Sequence, residues 1–351
     1  MSFRSYQVDP IKDARWAELV DRHPKASVFH TVGWLKTLQR TYSYEPVVFT
    51  TSSPNDGLKN ALVFCPINSW LTGCRLVSLP FSDHCEPLCD SAEDENFLCR
   101  YLQDSMKRQG WKYLEFRPIS SKFEQTGGRI GFLPAVRYFL HILDLRSNLD
   151  DVFRSLDKDS VQRRIGRAER GGLVEKCGRS DDLLNEFYEL FVITRSRQRL
   201  PPTPYAWFRN LSELLDKAVE IRLAYKDKVP ISAILTLQFK DTVYYKYGCS
   251  DSRFNNFGAT PWLLWKAIAA AKANGATKFD MGRTECDNAG LLAFKNHWAP
   301  QPERLVYWRF PDPTSRELVV GWRLKMARNV FSCMPKRVLR ITGELIYPHI
   351  G

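Results

Sequence analysis

The pattern of hydrophobic and polar positions predicts two successive halves with the same order of elements. Apolar residues at helical spacing alternate along the chain with short apolar or alternating runs that are typical of strands. In each half, helices come first, then three strands, then a long helix and a short strand. The last strand of each half ends in a similar way, as KYLEFR and as KFDMGR. This repeated order predicts a mixed α/β (α+β) fold built from a duplicated domain.

The predicted boundary lies near residues 146–150, which gives domains at 1–148 and 149–310 and a C-terminal tail at 311–351. In the first half we predict helices at 14–22, 31–41 and 91–109, and strands at 46–51, 61–66, 75–79, 112–118 and 138–145. In the second half we predict helices within 149–171 and at 181–197, 204–216, 261–274 and 288–296, and strands at 218–226, 231–239, 242–248, 278–281 and 305–309.

Composition narrows the class of protein. The chain has 351 residues, and the hydrophobic share of 44% allows a sizeable core. No segment approaches the ~20 apolar residues that span a bilayer. The first ten residues, MSFRSYQVDP, lack the apolar core of a secretory signal, so we expect a cytoplasmic protein. The net charge of +12 favours a polyanionic partner, such as a nucleic acid, an anionic lipid or a diphosphate-bearing substrate.

The cysteines predict neither a disulfide framework nor a metal site. There are nine, an odd number without regular spacing. Cys85 and Cys89 lie beside His84, but the usual zinc pattern needs a second pair of ligands at suitable spacing. We therefore expect no metal.

Four segments resemble the FemAB family, which comprises peptidoglycan bridge-forming transferases and their exopolysaccharide-associated relatives. They are residues 160–173, 188–211, 244–282 and 293–300. The resemblance implies two tandem domains of the GNAT acyltransferase type, with the tail 311–351 packed on the first. It also implies that a substrate amine attacks an activated carbonyl, with no resident cofactor. The donor would be aminoacyl-tRNA or acyl-CoA, and the acceptor a lipid- or nucleotide-linked glycan or peptide precursor.

The same resemblance implies roles for particular residues. Phe294 and Lys295 match the family's Phe-Lys pair, and the lysine would stabilise the oxyanion of the transition state or bind a phosphate of the donor. The alternative interpretation is a surface lysine beside a core phenylalanine. Lys36 and Arg197 would hold the diphosphate of the acceptor, because a lysine suits phosphate as a point charge and an arginine as a bidentate fork. Asp83 lies in a loop that would face the acceptor.

The turn before the long helix of the second half has the position of the GNAT turn that binds the CoA pyrophosphate. Its candidate residues are Asn255, Gly258 and Thr260. Only Gly258 fits the usual pattern, since Asn255 and Thr260 replace the first and last members. In the charged helical segment 149–171, Arg163, Arg167 and Arg170 share one helix face with Arg164 beside them, where they could meet phosphates or only solvent.

The tail mixes Trp, Met, Phe and Leu with six Lys or Arg residues between positions 323 and 340. Such a segment could pack on the first domain or lie on the inner face of the cytoplasmic membrane. Two other functions stay open beside transfer to a peptidoglycan or exopolysaccharide precursor. One is an acyl-CoA- or carrier-dependent N-acyltransferase acting on an amino sugar, and the other is a non-catalytic GNAT-like module that binds lipid-linked glycans or RNA.

Overall fold

The computed structural model describes residues 4–311, 331 and 334–351, so most of the predicted tail lies outside the described residues. Contacts divide the chain into two compact units. The described residues of the first are 4–137, 304–311 and 344–351, and those of the second are 138–303, 331 and 334–343. No helix in these ranges is long and apolar enough to cross a membrane.

The elements follow one another along the chain as numbered here. From the N-terminus they are β1 (Tyr6–Val8), α1 (Ala14–Arg22), α2 (Val32–Tyr42), β2 (Val47–Thr50), β3 (Leu62–Ile67), β4 (Arg75–Val77), α3 (Ala92–Gln109), β5 (Leu114–Phe116), α4 (Lys122–Gly127) and β6 (Leu133–Asp144). They continue with α5 (Leu149–Ser155), α6 (Arg163–Arg170), β7 (Val174–Gly178), α7 (Asp181–Arg197), α8 (Tyr205–Leu215), β8 (Val219–Lys226), β9 (Val229–Phe239), β10 (Thr242–Ser250), α9 (Ala259–Ala273), β11 (Lys278–Glu285), α10 (Ala289–Asn296), β12 (Glu303–Phe310) and α11 (Lys336–Ile350).

In the first unit the strand order is β1-β2-β3-β4-β5-β12. Neighbours are antiparallel except β4 and β5, which run parallel and are joined by α3. In the second unit the order is β6-β11-β10-β9-β8-β7. Here β10 and β11 are the parallel pair, joined by α9, and the other neighbours are antiparallel. Each unit therefore has an antiparallel meander followed by a crossover helix and a parallel strand, which is the predicted mixed α/β duplication.

The crossover helix of the second unit, α9, forms for local reasons. Gly258 precedes it in the left-handed conformation, with φ of +72°. Pro261 lies in its first turn, where a missing N–H costs nothing. The helix ends at Ala273, two residues before Gly275, which also has positive φ. Its buried side chains, including Trp262 and Leu264, join the core of the second unit.

Two predictions of local structure were wrong. The pair Gly127-Gly128 is a sequence that predicts a turn, but these glycines lie at the junction of α4 and a short 3-10 helix. We missed β7, which reads VEKCG and lies at the edge of its sheet. A polar edge strand lacks the apolar run by which buried strands are recognised.

Candidate active site

The two parallel strands in the sheet of the second unit, β10 and β11, pair along only part of their length. β10 and β11 pair from Thr242–Lys278 to Tyr244–Asp280, and beyond that point no pairing joins these two described strands, although both continue. On its other side, β11 has an irregularity between Asp280 and Arg283 in its pairing with β6. Gly282 lies within this bulge with φ of +70°, a conformation that favours glycine.

A pocket of about 500 Å³ lies at the N-terminus of α9, and we call it the α9 pocket. Its walls come from α6, the start of β9, the end of β10, the turn into α9 and the end of α10. The polar residues that line it are Arg164, Arg167, Ser232, Ser250, Asp251, Asn255, Asn256 and Thr260. Phe254 and Phe294 add aromatic surface. The pocket thus combines apolar walls with a few convergent polar groups, as ligand sites do.

The turn into α9 is held closely against α6. A Cβ atom on Gly258 would lie 2.3 Å from the backbone oxygen of Arg164, so only glycine fits there. Thr260 is fixed by a contact of 2.8 Å between its hydroxyl and that of Ser232. Because Ser232 donates its own proton to the Cys249 carbonyl, Thr260 is the donor in that contact.

Arg197 lies at the rim of the α9 pocket. Its Nη1 donates to the carbonyl of Ser250, a residue that lines the pocket, at 3.3 Å. Thr194, one turn earlier on α7, bonds both the N–H and the carbonyl of Ser250. Asp251 follows Ser250 in the chain. The hydrogen bond from the Arg253 guanidinium lowers the pKa of the Asp251 carboxyl, so Asp251 is an anion at neutral pH.

Lys295 is buried, with only 3% of its surface exposed, so its interpretation as a surface lysine is wrong. Its ammonium donates to the carbonyls of Gly282 at 2.8 Å and of Arg283 at 2.9 Å. Both carbonyls belong to the bulge of β11, which explains why a charged side chain is accepted inside the unit. The neighbouring Phe294 lines the α9 pocket, so the Phe-Lys pair presents one residue to the pocket and the other to the bulge.

Other polar groups complete this bulge. The Asp280 carboxylate accepts from the Gly282 N–H at 2.7 Å. His141 Nε2 donates to the Asn296 side-chain oxygen at 2.9 Å. Burial lowers the pKa of His141, and the nearby charge of Lys295 lowers it further, so the imidazole is neutral at pH 7. Lys295 therefore belongs to a packed polar cluster, which we call the bulge cluster.

Lys36 and Asp83 belong to the first unit. Lys36 is exposed on α2. Asp83 is half-buried in the loop after β4, and the Tyr307 hydroxyl donates to its carbonyl at 2.7 Å. His84, next in that loop, packs edge-on against Phe29 just before α2. Neither Lys36 nor Asp83 is among the described residues that line the α9 pocket.

Sequence reasoning placed Asn255, Gly258, Thr260 and Phe294 in the site separately, and the structure brings all four to one pocket. Sequence reasoning did not find Ser232 or Asp251, because a serine in a meander strand and an aspartate at a turn carry no distinctive pattern. The sequence predicted that the arginines of α6 share one face of a helix. Arg163 instead pairs with Asp159, whereas Arg164 and Arg167 line the pocket.

The comparison with known proteins that covers the second unit is a match to a protein-family model. A family model described as an acetyltransferase (GNAT) domain matches residues 157–296. The lipid II:glycine glycyltransferase of Staphylococcus saprophyticus subsp. saprophyticus is 28% identical over 92 residues, 24% of this chain. The chain matches 22% of the length of that relative. The crystal structure of FemX has a TM-score of 0.68 at 16% identity, covering 88% of this chain and 97% of FemX.

Residues 157–296 are therefore a GNAT acetyltransferase domain, and the chain shares the fold of FemX. A tandem GNAT protein from the clavulanic acid biosynthesis pathway also shares the fold, with a TM-score of 0.55 at 11% identity over 87% of this chain and 97% of that one. The FemAB-type fold with tandem GNAT units, predicted from the sequence, is thereby confirmed. The GNAT match begins just before α6 and ends at α10, so it contains every described residue that lines the α9 pocket.

Proposed function

We propose that this chain is an aminoacyltransferase that forms an amide on an amine of a lipid-linked peptidoglycan precursor, with the α9 pocket holding the donor. The observation that carries the proposal is the α9 pocket itself, formed at the turn between β10 and α9. The similarity to a staphylococcal lipid II:glycine glycyltransferase supports the class of donor and acceptor.

The charges of the pocket fit a phosphate-bearing donor. Arg164 and Arg167 supply two guanidinium groups, and the N-terminus of α9 adds the positive end of a helix dipole. The aromatic faces of Phe254 and Phe294 suit a base or a sugar ring. These features match the 3′ end of an aminoacyl-tRNA, where adenosine and phosphates lie close to the activated ester.

Acyl-CoA is the second candidate donor, and the match to a GNAT model favours it. One contact argues against the usual way of binding CoA. The Arg164 carbonyl oxygen lies so close to Gly258 that α6 covers this part of the glycine turn. A carbonyl oxygen repels the oxygens of a pyrophosphate, which makes the turn a poorer cradle for CoA.

The reaction needs little covalent chemistry from the protein. The acceptor amine attacks the ester carbonyl and forms a C–N bond, the C–O bond to the 3′ oxygen breaks, and the amine's proton passes to that oxygen, which leaves as a hydroxyl. The transition state carries an oxyanion, and we propose that the positive charge of Lys295, which the Gly282 and Arg283 carbonyls hold beside Phe294 of the pocket, stabilises it. Phe294 would position the donor from the pocket side. Arg197, Lys36 and Asp83 remain our proposed acceptor residues.

Replacing both Arg164 and Arg167 with glutamine should weaken binding of aminoacyl-tRNA by about tenfold or more, because each substitution removes a guanidinium that would bind a phosphate. The dependence of log affinity on log salt concentration should also become shallower, by about one unit for each phosphate that the protein no longer neutralises. Filter binding at several salt concentrations measures both quantities.

The matched control is Arg163→Gln on the same helix, because Arg163 is paired with Asp159 and is not among the described residues lining the pocket. It should change neither affinity nor slope. If the double variant binds donor like the wild type at every salt concentration, the donor does not occupy the α9 pocket.

A further inference from the structure

The loop between β3 and β4 in the first unit displays two apolar side chains to solvent. Trp70 is 83% exposed and Leu71 49% exposed. An exposed tryptophan is uncommon because its ring is among the largest apolar surfaces that a protein can bury. These residues therefore need a reason to remain outside the core.

The loop is held rigidly in this conformation. The Ser69 hydroxyl accepts from the N–H groups of Leu71 and Thr72, both at 3.1 Å, and the Gly73 N–H bonds back to the Ser69 carbonyl at 2.7 Å. Trp70 Nε1 donates to His349 Nε2 at 3.0 Å. These bonds hold the tip of the loop, so Trp70 points outward from a fixed turn.

The end of α11 extends the same apolar surface. His349, which contacts the Trp70 ring at 5.5 Å between centroids, lies one turn after Leu345 on the helix. Leu345 is 67% exposed and Ile350 is 47% exposed. Thr72 and Arg75 bond the His349 carbonyl, which fixes this part of the helix to the loop. We call Trp70, Leu71, Leu345 and Ile350 the Trp70 patch.

Basic residues border the patch. The side chain of Lys112 lies across Gly73, since its Nζ is 2.2 Å from where a Cβ of that glycine would be, and Lys112 is exposed. Lys107 and Arg108, also exposed, lie at the end of α3, a few residues before Lys112 in the chain. The opposing charges of Asp104 on α3 and Glu344 on α11 are exposed as well. Three cations against two anions leave a positive balance among these residues, in agreement with the net charge of +12 for the chain.

We propose that the Trp70 patch docks this protein on an anionic lipid bilayer. Tryptophan is favoured at the boundary between headgroups and acyl chains, where its ring is apolar and its N–H remains near polar groups. Leucine and isoleucine enter the acyl region, and the neighbouring cations contact anionic headgroups. Docking would bring the protein to the surface that holds a lipid-linked acceptor; this last step rests on the proposed function, whereas the docking itself does not.

Co-sedimentation with vesicles tests the proposal. The wild-type chain should bind vesicles of equal parts phosphatidylglycerol and phosphatidylcholine, and should bind pure phosphatidylcholine vesicles much more weakly. Combining Trp70→Ser with Leu345→Ser should weaken binding by about tenfold or more, because burial of one large apolar side chain is worth at least that factor. The control is Val174→Ser, which removes another apolar residue that is more than half exposed (61%) from β7 in the second unit and should leave vesicle binding unchanged.

Two results would overturn the docking proposal. One is unchanged vesicle binding by the double variant. The other is loss of a dimer in sedimentation velocity on patch substitution without any change in vesicle binding, which would assign the patch to a second copy of the chain. Turnover with a water-soluble acceptor separates this proposal from the proposed function. It should be unaffected by the patch variant, while the Arg164 and Arg167 variant should lose turnover and keep vesicle binding.

Discussion

Replacing Thr260 with phenylalanine should raise the donor KM by about 100-fold or more, because the added ring enters a space that the donor must occupy. Thr260 lines the α9 pocket from the first turn of α9, and its hydroxyl reaches Ser232 across the pocket wall. The fold should tolerate the change, since Thr260 is partly exposed and Ser232 keeps its bond to the Cys249 carbonyl. Steady-state kinetics with aminoacyl-tRNA as the varied substrate measures the effect.

The matched control fills a different pocket. Gln238, also partly exposed, lines a cavity of about 300 Å³ beside the C-terminal end of α9. Gln238→Phe should leave the donor KM unchanged, because that cavity has no part in the proposed reaction. Equal effects of Thr260→Phe and Gln238→Phe would show that the second unit responds to bulky substitution in general, and the assignment of the α9 pocket would fail.

Replacing Lys295 with methionine should lower kcat by about 100-fold, the usual cost of removing one oxyanion donor. It should also lower the free energy of unfolding by about 1–3 kcal/mol, because the carbonyls of Gly282 and Arg283 lose a charged donor inside the unit. Had Lys295 been a surface lysine, the alternative interpretation of the sequence, its replacement would change stability by no more than about 0.5 kcal/mol. Burial of Lys295 corrects that expectation.

Two controls separate catalysis from stability in the Lys295 experiment. Asn296→Ala removes the partner of His141 and loosens the bulge cluster, but it keeps the ammonium. Lys278→Met deletes an exposed lysine from the same strand, β11. Rates are measured well below the unfolding temperature, with the folded fraction followed by circular dichroism. If Asn296→Ala loses as much kcat as Lys295→Met at equal folded fraction, Lys295 has a structural role and no other.

The duplicated fold could be predicted because its determinants are local. The run from Pro261 to Asn274 is apolar, and it is bounded by a proline and a glycine that set its ends. Strands 231–239 and 242–248 are long and rich in apolar residues, and short turns join them as a meander. Such elements need no knowledge of distant contacts. The resemblance of residues 244–300 to the FemAB family added the chemistry, which spacing did not provide.

The environment of Lys295 could not be predicted, because it depends on the bulge of a strand that is distant in the sequence. Gly282 and Arg283 follow Asp280 in the run KFDMGR, and nothing in that run shows that two carbonyls will turn toward α10. The approach of Arg164 to Gly258 depends in the same way on two helices separated by most of the second unit. Contacts of this kind are set by tertiary packing. A single sequence does not show which distant residues will meet.

Transfer of a labelled aminoacyl group tests the central claim most directly. The chain is incubated with a lipid-linked peptidoglycan precursor that carries a free amine, together with a pool of tRNA charged with radiolabelled amino acids, or with labelled acetyl-CoA in a parallel reaction. The account predicts that label moves from tRNA to the precursor and then resists mild alkali, because an amide survives conditions that hydrolyse the ester to tRNA. At donor concentrations below KM, Thr260→Phe should slow this transfer by about 100-fold, and Gln238→Phe should leave it unchanged. Label that reaches the acceptor from acetyl-CoA, but from no aminoacyl-tRNA, would contradict the account.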